Sequence, residues 1–364
     1  MASTTATDSG STWRALDELA FAYAAPVAKA QLKQEFSDFK VSEDLGFKLT
    51  GSGEHLYLQL KKIDLSTTDV AKKLASTLQE RVSAIGYAGM KDRRGECTQW
   101  FSVPANSEKI SDLSRIEKEN LQILNTQRNA RKLKIGSHKL NRFEITLREC
   151  RGGQVEFESR LNQIETGGIP NYFGSQRFGK ELSNLQQLND LLLDYQNPEP
   201  QKPKRFKRGM VISAARAYLF NQLLSIRVAN GSWDKYLAGD VLNLNGTARS
   251  FKLDMDEWTE ELEQRLGEFD IHITGPLAGV IDSKDKYTSS GEAADIENAV
   301  FAEYTSVYEA LKVLGATASR RSLRFMPENL NWAWLDEHTL KLDFALQPGA
   351  YATSLLREVC SAEN

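Results

Sequence analysis

From Gly86 to Phe101 the chain reads G-Y-A-G-M-K-D-R-R-G-E-C-T-Q-W-F. One acid, Asp92, follows Gly86 and Gly89 ahead of Glu96 and is flanked by Lys91, Arg93 and Arg94. Cations beside a carboxylate favour its ionised form, and an ionised carboxylate can attack carbon or take up a proton. The same cations would guide a polyanion toward it. A solvated loop carrying an ion-pair cluster is the other reading of these residues.

Other chemistries find little support. His55, His138, His272 and His338 show no H-x-x-x-H spacing, so a zinc site is not expected. Cys97, Cys150 and Cys360 contain no C-x-x-C pair, and an odd number gives no disulfide framework. There is no Walker loop and no G-x-G-x-x-G, so no metal, nucleotide or flavin cofactor is expected. The net charge of −3 disfavours a uniformly basic nucleic-acid binder. Its distribution is more informative. No acid occurs between Glu119 and Glu144, a tract with Arg128, Arg131, Lys132, Lys134, Lys139 and Arg142. A second tract between Glu199 and Asp234 holds Lys202, Lys204, Arg205, Lys207, Arg208, Arg216 and Arg227. Acids gather instead in 252–303, fourteen against four cations. Such segregation suits either a phosphate-attracting cleft or two solvated loops.

At 364 residues the chain is long enough for two structural units. No apolar run reaches membrane-spanning length. The segment "ALDELAFAYAAPVAKA" has the look of a signal peptide, but Asp8, Asp17 and Glu18 stand where a basic region should be. Residues 1–12 read as a flexible tail and the protein as cytoplasmic. With no coiled coil or dimerisation stripe, a monomer is expected.

The elements that must position Asp92 follow from periodicity. "FKV" and "EHLYLQLKKI" read as strands, the latter alternating Leu56, Leu58 and Leu60 with polar residues. Ser66 and Asp69 form a capping-box start for a helix carrying Val70, Leu74, Leu78, Val82 and Ile85, with Gly86 to end it. Gly89 would then give Asp92 a permissive backbone. "WFSV" and "KLNRFEITLR" read as strands, and turn residues in 151–170 mark a boundary. Helical text follows, with Ile212, Ala215, Leu219, Leu223 and Ile226 in one stripe. Strands return in "LNWAWLD", where Trp332 and Trp334 read as core, and in "TLKLDFAL"; "YATSLLREV" closes as a helix. Strands, helices, then strands again describe a sheet domain interrupted by an insertion.

Five stretches, in order, resemble the tRNA pseudouridine synthase D family: "LKQEFSDFKVSEDLGF" with "GSGEHLYLQLKK", then "GYAGMKDRRGECTQWF", "KLNRFEITLRE", "GGIPNYFGSQRFG" and "LQPGAYATSLLREV". The resemblance runs from about residue 32 to the end. It implies an α+β fold: a pseudouridine-synthase catalytic domain with a bisected, mainly antiparallel sheet, interrupted by a family-specific α/β insertion domain, with a cleft between the two. The expected boundaries are 13–160 with 320–364 for the catalytic domain and 161–319 for the insertion. It also implies tRNA as partner, uridine 13 as target, and isomerisation by a single aspartate without a cofactor. Asp92 matches that aspartate. Whether it would attack C1′, add to C6 or remove the 2′-proton is left open by the residues.

By the same resemblance Lys33 is an active-site lysine, Phe143 stacks on the extruded uracil, and Asn141 and Phe39 lie nearby. Phe143 also alternates with Ile145 and Leu147, which is the pattern of a core residue. Lys91 and Arg93 are candidates for the phosphate backbone, as are Arg177 in "NYFGSQRFG" and Arg357 in "YATSLLRE". Asn171, Gly174 and Gly179 around Arg177 are equally turn formers. The chain departs from the family at Gly95, Glu96, Cys97 and Thr98, where Glu and Cys replace an apolar residue and a hydroxyl. Two rival functions remain: a tRNA-binding or tRNA-folding protein, and a glycosidic hydrolase. The latter needs a second carboxylate, for which Glu43 and Glu96 are available.

Overall fold

The computed structural model describes residues 13–196, 205–247, 249–253, 257–281 and 287–363. The tail 1–12, and Lys202 and Lys204 of the second basic tract, lie outside them.

In chain order the first elements are β1 (Lys29–Leu32), β2 (Phe39–Asp44), β3 (His55–Ile63), α1 (Thr67–Leu78), β4 (Gly86–Tyr87), β5 (Glu96–Pro104), β6 (Leu121–Asn129), β7 (Leu140–Arg151) and α2 (Gln154–Gly167). The middle of the chain forms β8 (Ile169–Pro170), α3 (Ser183–Gln196), α4 (Arg205–Ala229), β9 (Val241–Leu244), β10 (Ser250–Lys252), α5 (Glu260–Gly267), β11 (Ile271–Leu277), α6 (Gly291–Glu303), α7 (Thr305–Val313), β12 (Ser319–Ser322) and β13 (Arg324–Phe325). It ends with β14 (Glu328–Asp336), β15 (Thr339–Leu346), α8 (Ala352–Val359) and β16 (Ser361–Glu363).

Two compact units result: Pro26–Gly168 with Met326–Asn364, and Met1–Ala25 with Ile169–Phe325. The first is built on one sheet in the order β14-β15-β7-β2-β5-β3-β6, with β1 paired to β7 and β16, and β4 to β5. Its central pair, β2 and β5, is parallel and joins two antiparallel halves. Helices and a mixed sheet of this kind form an α+β fold. One sheet face is apolar in phase: Val41, Phe143 and Phe344 are cross-strand neighbours, as are Phe39, Ile145 and Leu342. The opposite face carries a charged ladder in which Glu144 accepts from Lys40 and from Lys341, each at 2.7 Å. One buried and one polar face is the ordinary state of an antiparallel sheet.

The second unit contains an antiparallel sheet, β10-β9-β11-β12, against which α4 packs. Gly275 allows that approach, since a Cβ there would stand 2.8 Å from Leu223 Cδ2.

Three features differ from the sequence expectations. Residues 13–25 join the inserted unit, where the Arg14 amide donates to the Tyr218 hydroxyl (2.5 Å), the Ala20 amide to Ser225 Oγ (2.9 Å), and Trp13 packs edge-on against Tyr218. The boundary falls at 168/169, not 160/161, because the turn at Gly152 and Gly153 opens α2, whose Phe157 packs on Trp334 while Glu158 accepts from the Trp334 indole. Trp332 and Trp334 are accordingly half-buried rather than core. Third, α1 starts with the expected Ser66–Asp69 capping box but stops at Leu78, capped by Gln79 in the left-handed conformation, φ 55°. Val82 is exposed. Gly86 begins β4 instead, where a Cβ would meet Leu133 O and Ser102 Oγ at 2.4 Å.

Candidate active site

Asp92 lies on the loop from β4 to β5, and nearly every residue of that loop is tied down. Gln99 Nε2 donates to Gly89 O (2.7 Å), and the Lys91 amide donates to Thr67 Oγ1 (2.9 Å), whose hydroxyl donates to Gln99 Oε1 (2.9 Å). Lys62 Nζ donates to Asp92 O (2.8 Å), and Arg94 Nη2 to Lys33 O (2.8 Å). The permissive glycine is Gly95, at φ 152°, where a Cβ would come within 2.6 Å of Phe39 O. Gly89 has no left-handed φ; it is needed for close approach to His138, 3.2 Å from the position of a Cβ.

Among the described residues the Asp92 carboxylate receives one cation, Lys33, whose Nζ stands 3.2 Å from Oδ2. Lys33 sits just past β1 at φ 60°, a conformation that costs a non-glycine residue roughly 1 kcal/mol or more. Its ammonium lies 3.9 Å from the Phe39 ring centroid. Phe39 meets Phe143 edge to face at 6.0 Å, and Phe143 stacks on Phe344 at 5.3 Å. So the sheet brings Asp92, Lys33, Phe39 and Phe143 together. Phe39 is buried, Phe143 half-buried.

Asn141 occupies the inward phase next to Phe143 and opposite Glu43. Its Nδ2, which can only donate, faces His138 Nε2 at 3.1 Å, and its Oδ1 is buried without a partner. Burial, then the Lys91 charge, pushes the His138 pKa below the usual histidine value, consistent with a neutral acceptor ring.

The cations adjoining Asp92 in sequence go elsewhere. Lys91 Nζ is 2.7 Å from Glu43 Oε1, with both side chains almost wholly buried, and Glu43 Oε2 accepts from the Trp100 amide. Lys91 therefore braces the loop from inside and is not presented to a phosphate. Arg93 pairs with Asp64 at 3.1 Å and remains two-thirds exposed, at 67%. Arg357, on α8, contacts Glu358 at 3.1 Å. Arg177 belongs to the inserted unit, its guanidinium 5.5 Å from the Phe173 ring.

A second carboxylate for hydrolysis is not at hand in Glu43 or Glu96. Glu43 is committed to Lys91, and Glu96 pairs with Lys61 at 2.9 Å on the ladder face. Cys97 is fully buried, with Sγ 3.6 Å from Asp92 O, and burial pushes its thiol pKa up. It is a packing residue beneath the loop rather than a reactive thiolate. Lys62, Thr67, Gln99 and His138 did not emerge from the sequence as site residues. The available signal was phase: Lys62 follows Leu58 and Leu60, and Gln99 precedes Phe101, each a polar residue at an inward strand position.

The fold and this arrangement define an α+β protein with a single carboxylate, lysine-paired and backed by aromatic rings, on a braced loop. The family model described as tRNA pseudouridine synthase D (TruD) matches residues 16–199 and 181–359. The tRNA pseudouridine synthase D of Hydrogenovibrio crunogenus is 37% identical over 344 residues, 94% of this chain and 96% of that one. That of Nitrosococcus oceani is 40% identical over 343 residues, covering 94% and 93%. The solved structure of the putative tRNA pseudouridine synthase D from Methanosarcina mazei shares the fold, with TM-score 0.68 at 22% identity, over 93% of this chain and 95% of that chain. The chain belongs to the tRNA pseudouridine synthase D family.

Proposed function

We propose that this protein isomerises a uridine of tRNA, uridine 13, to pseudouridine, with Asp92 as nucleophile or base. The sheet unit is then the catalytic domain and the inserted unit a family-specific addition, in a cytoplasmic monomer. The observation that carries the reading is the Asp92–Lys33 pair at the edge of the Phe39–Phe143 cluster. A target uridine must leave its stack, and a half-buried aromatic ring beside the carboxylate suits the freed base.

The reaction breaks N1–C1′, turns the uracil and joins C5 to C1′, with the C5 hydrogen leaving as a proton. It needs no oxidant and no external energy. Asp92 would attack C1′ or C6, or take the 2′-proton. Lys33 supplies a counter-charge and fixes the direction of Oδ2. Phe143 offers its ring edge or a shifted ring to the uracil, and Asn141 offers an amide. Arg93, Arg177 and Arg357 are the candidates for phosphate contacts, whereas Lys91 drops out because its ammonium is engaged with Glu43.

The test is tritium release from tRNA transcripts labelled at uracil C5, with no added cofactor or metal. Asp92→Asn should lower release by at least about 10³-fold while tRNA binding persists. Tight binding without release by the wild type would instead favour a tRNA-binding or tRNA-folding protein.

A further inference from the structure

Lys62 is the inward residue of β3 after Leu58 and Leu60, and its side chain is wholly buried. Its ammonium donates to two backbone carbonyls, Leu65 O at 2.7 Å and Asp92 O at 2.8 Å. Cys97 Sγ approaches the same Asp92 oxygen at 3.6 Å. Among the described residues its hydrogen-bond partners are thus these carbonyls and the Cys97 thiol, not a carboxylate. Burial holds its pKa below the ordinary lysine value.

A cation so placed is costly to desolvate, and an apolar side chain of similar length would fill the slot without that penalty. What the apolar chain could not do is hold the Asp92 carbonyl. Asp92 is gripped twice: Lys33 meets the carboxylate, and Lys62 meets the backbone oxygen of the same residue. Lys33 stands just past β1 and Lys62 within β3, so rotation of the loop about either contact is blocked by the other.

We propose that Lys62 is a positioning residue for the reaction, its buried ammonium clamping the Asp92 carbonyl so that the carboxylate keeps one direction toward the sugar–base junction. This rests on Asp92 being the reacting group. Lys62 touches no substrate; it acts through Asp92 alone.

The experiment compares wild type, Lys62→Met, Lys62→Arg and Asp92→Asn by single-turnover C5-tritium release, tRNA Kd and Tm. Lys62→Met leaves the Leu65 and Asp92 carbonyls without this donor and should lower Tm, while keeping tRNA Kd unchanged. Its single-turnover rate should fall by about 10²-fold, as expected for a misplaced reacting group. Lys62→Arg, which restores charge and donors, should recover part of the loss. A lysine serving only the fold would leave the rate per folded molecule unchanged. That result overturns the proposal. Should Lys62→Met not fold, Lys62→Gln decides, since a wild-type rate in any folded neutral variant also overturns it. If Asp92→Asn still releases tritium, the reading of Asp92 fails. If Asp92→Asn is inactive while Lys62→Met matches the wild type, only the role of Lys62 fails.

Discussion

Lys62 in the sheet unit and Arg227 in the inserted unit are both buried cations, and they spend their hydrogen bonds differently. Arg227 reaches Ser232 O, Lys235 O and both oxygens of Asp240, all shortly after it in sequence, and so closes the end of α4 onto the turn that follows. Lys62 and Lys91 reach instead across the sheet unit, to the loop that carries Asp92 and from that loop to Glu43. Arg320 in the inserted unit resembles Arg227: it ties Thr274, Ser289 and Glu297 into one closed set. One unit uses buried charge to finish its own elements, the other to hold the loop that carries Asp92. Cost of burial is therefore a poor guide to function by itself. The destination of the hydrogen bonds discriminates.

This contrast is tested first by breaking one buried pair in each unit. Glu43→Ala and Arg227→Ala each strand a buried charge, and each should cost about 3–5 kcal/mol in denaturant unfolding. Only Glu43→Ala should also slow single-turnover tritium release per folded molecule, because Lys91 then loses its anchor. Equal slowing in both variants would erase the distinction.

A smaller effect comes from His272 of the inserted unit. Burial, and then the charge of Arg324, push its pKa down to about 4 from 6.5. As pH falls below 6.5 the unfolded chain takes up this proton before the folded one does. Stability is thus intact above pH 7 and declines by up to about 3 kcal/mol by pH 4. Hydrogen exchange of β11 amides would follow it, and His272→Gln should flatten the slope.

The least effect is expected on the ladder face. Hydrogen bonds from Lys341, then Lys40, lower the Glu144 pKa. The associated stability is present above the ordinary carboxylate range and is lost as pH falls below it. With its side chain about a third exposed, Glu144→Gln should cost no more than about 1 kcal/mol, checked by urea denaturation at neutral pH.

Much of the sheet was legible because strand alternation is local. β3, β7 and β15 each follow a period of two in the sequence, and the strand pleat carries Lys62, Gln99, Glu43 and Asn141 into the interior beside apolar neighbours. What such a pattern leaves out is the partner: nothing near Lys62 in sequence points to Asp92. The end of α1 was misread because Val82 extends the apolar spacing, while the left-handed Gln79 that stops the helix leaves no glycine to see. The place of residues 13–25 could not be read from the sequence, because their anchors are hydroxyls on α4, distant in sequence, and not any periodicity of their own. The motif around Asp92 drew attention to the loop, but the crowd of cations beside it was a fact of sequence only; the cation that pairs with it, Lys33, stands just past β1.

The pairing of β7 with β15 has a consequence for biosynthesis. β7 is translated before residues 169–325 of the inserted unit, and the strand that covers its outer edge comes only after them. At about 5–20 residues per second, the ribosome takes on the order of ten seconds or more to travel from Arg151 to Thr339. Throughout that interval the nascent chain carries an unfilled strand edge, the kind of surface that recruits chaperones or foreign strands. The inserted unit can meanwhile fold around its own core, so the half of the molecule bearing Asp92 is the last to be finished.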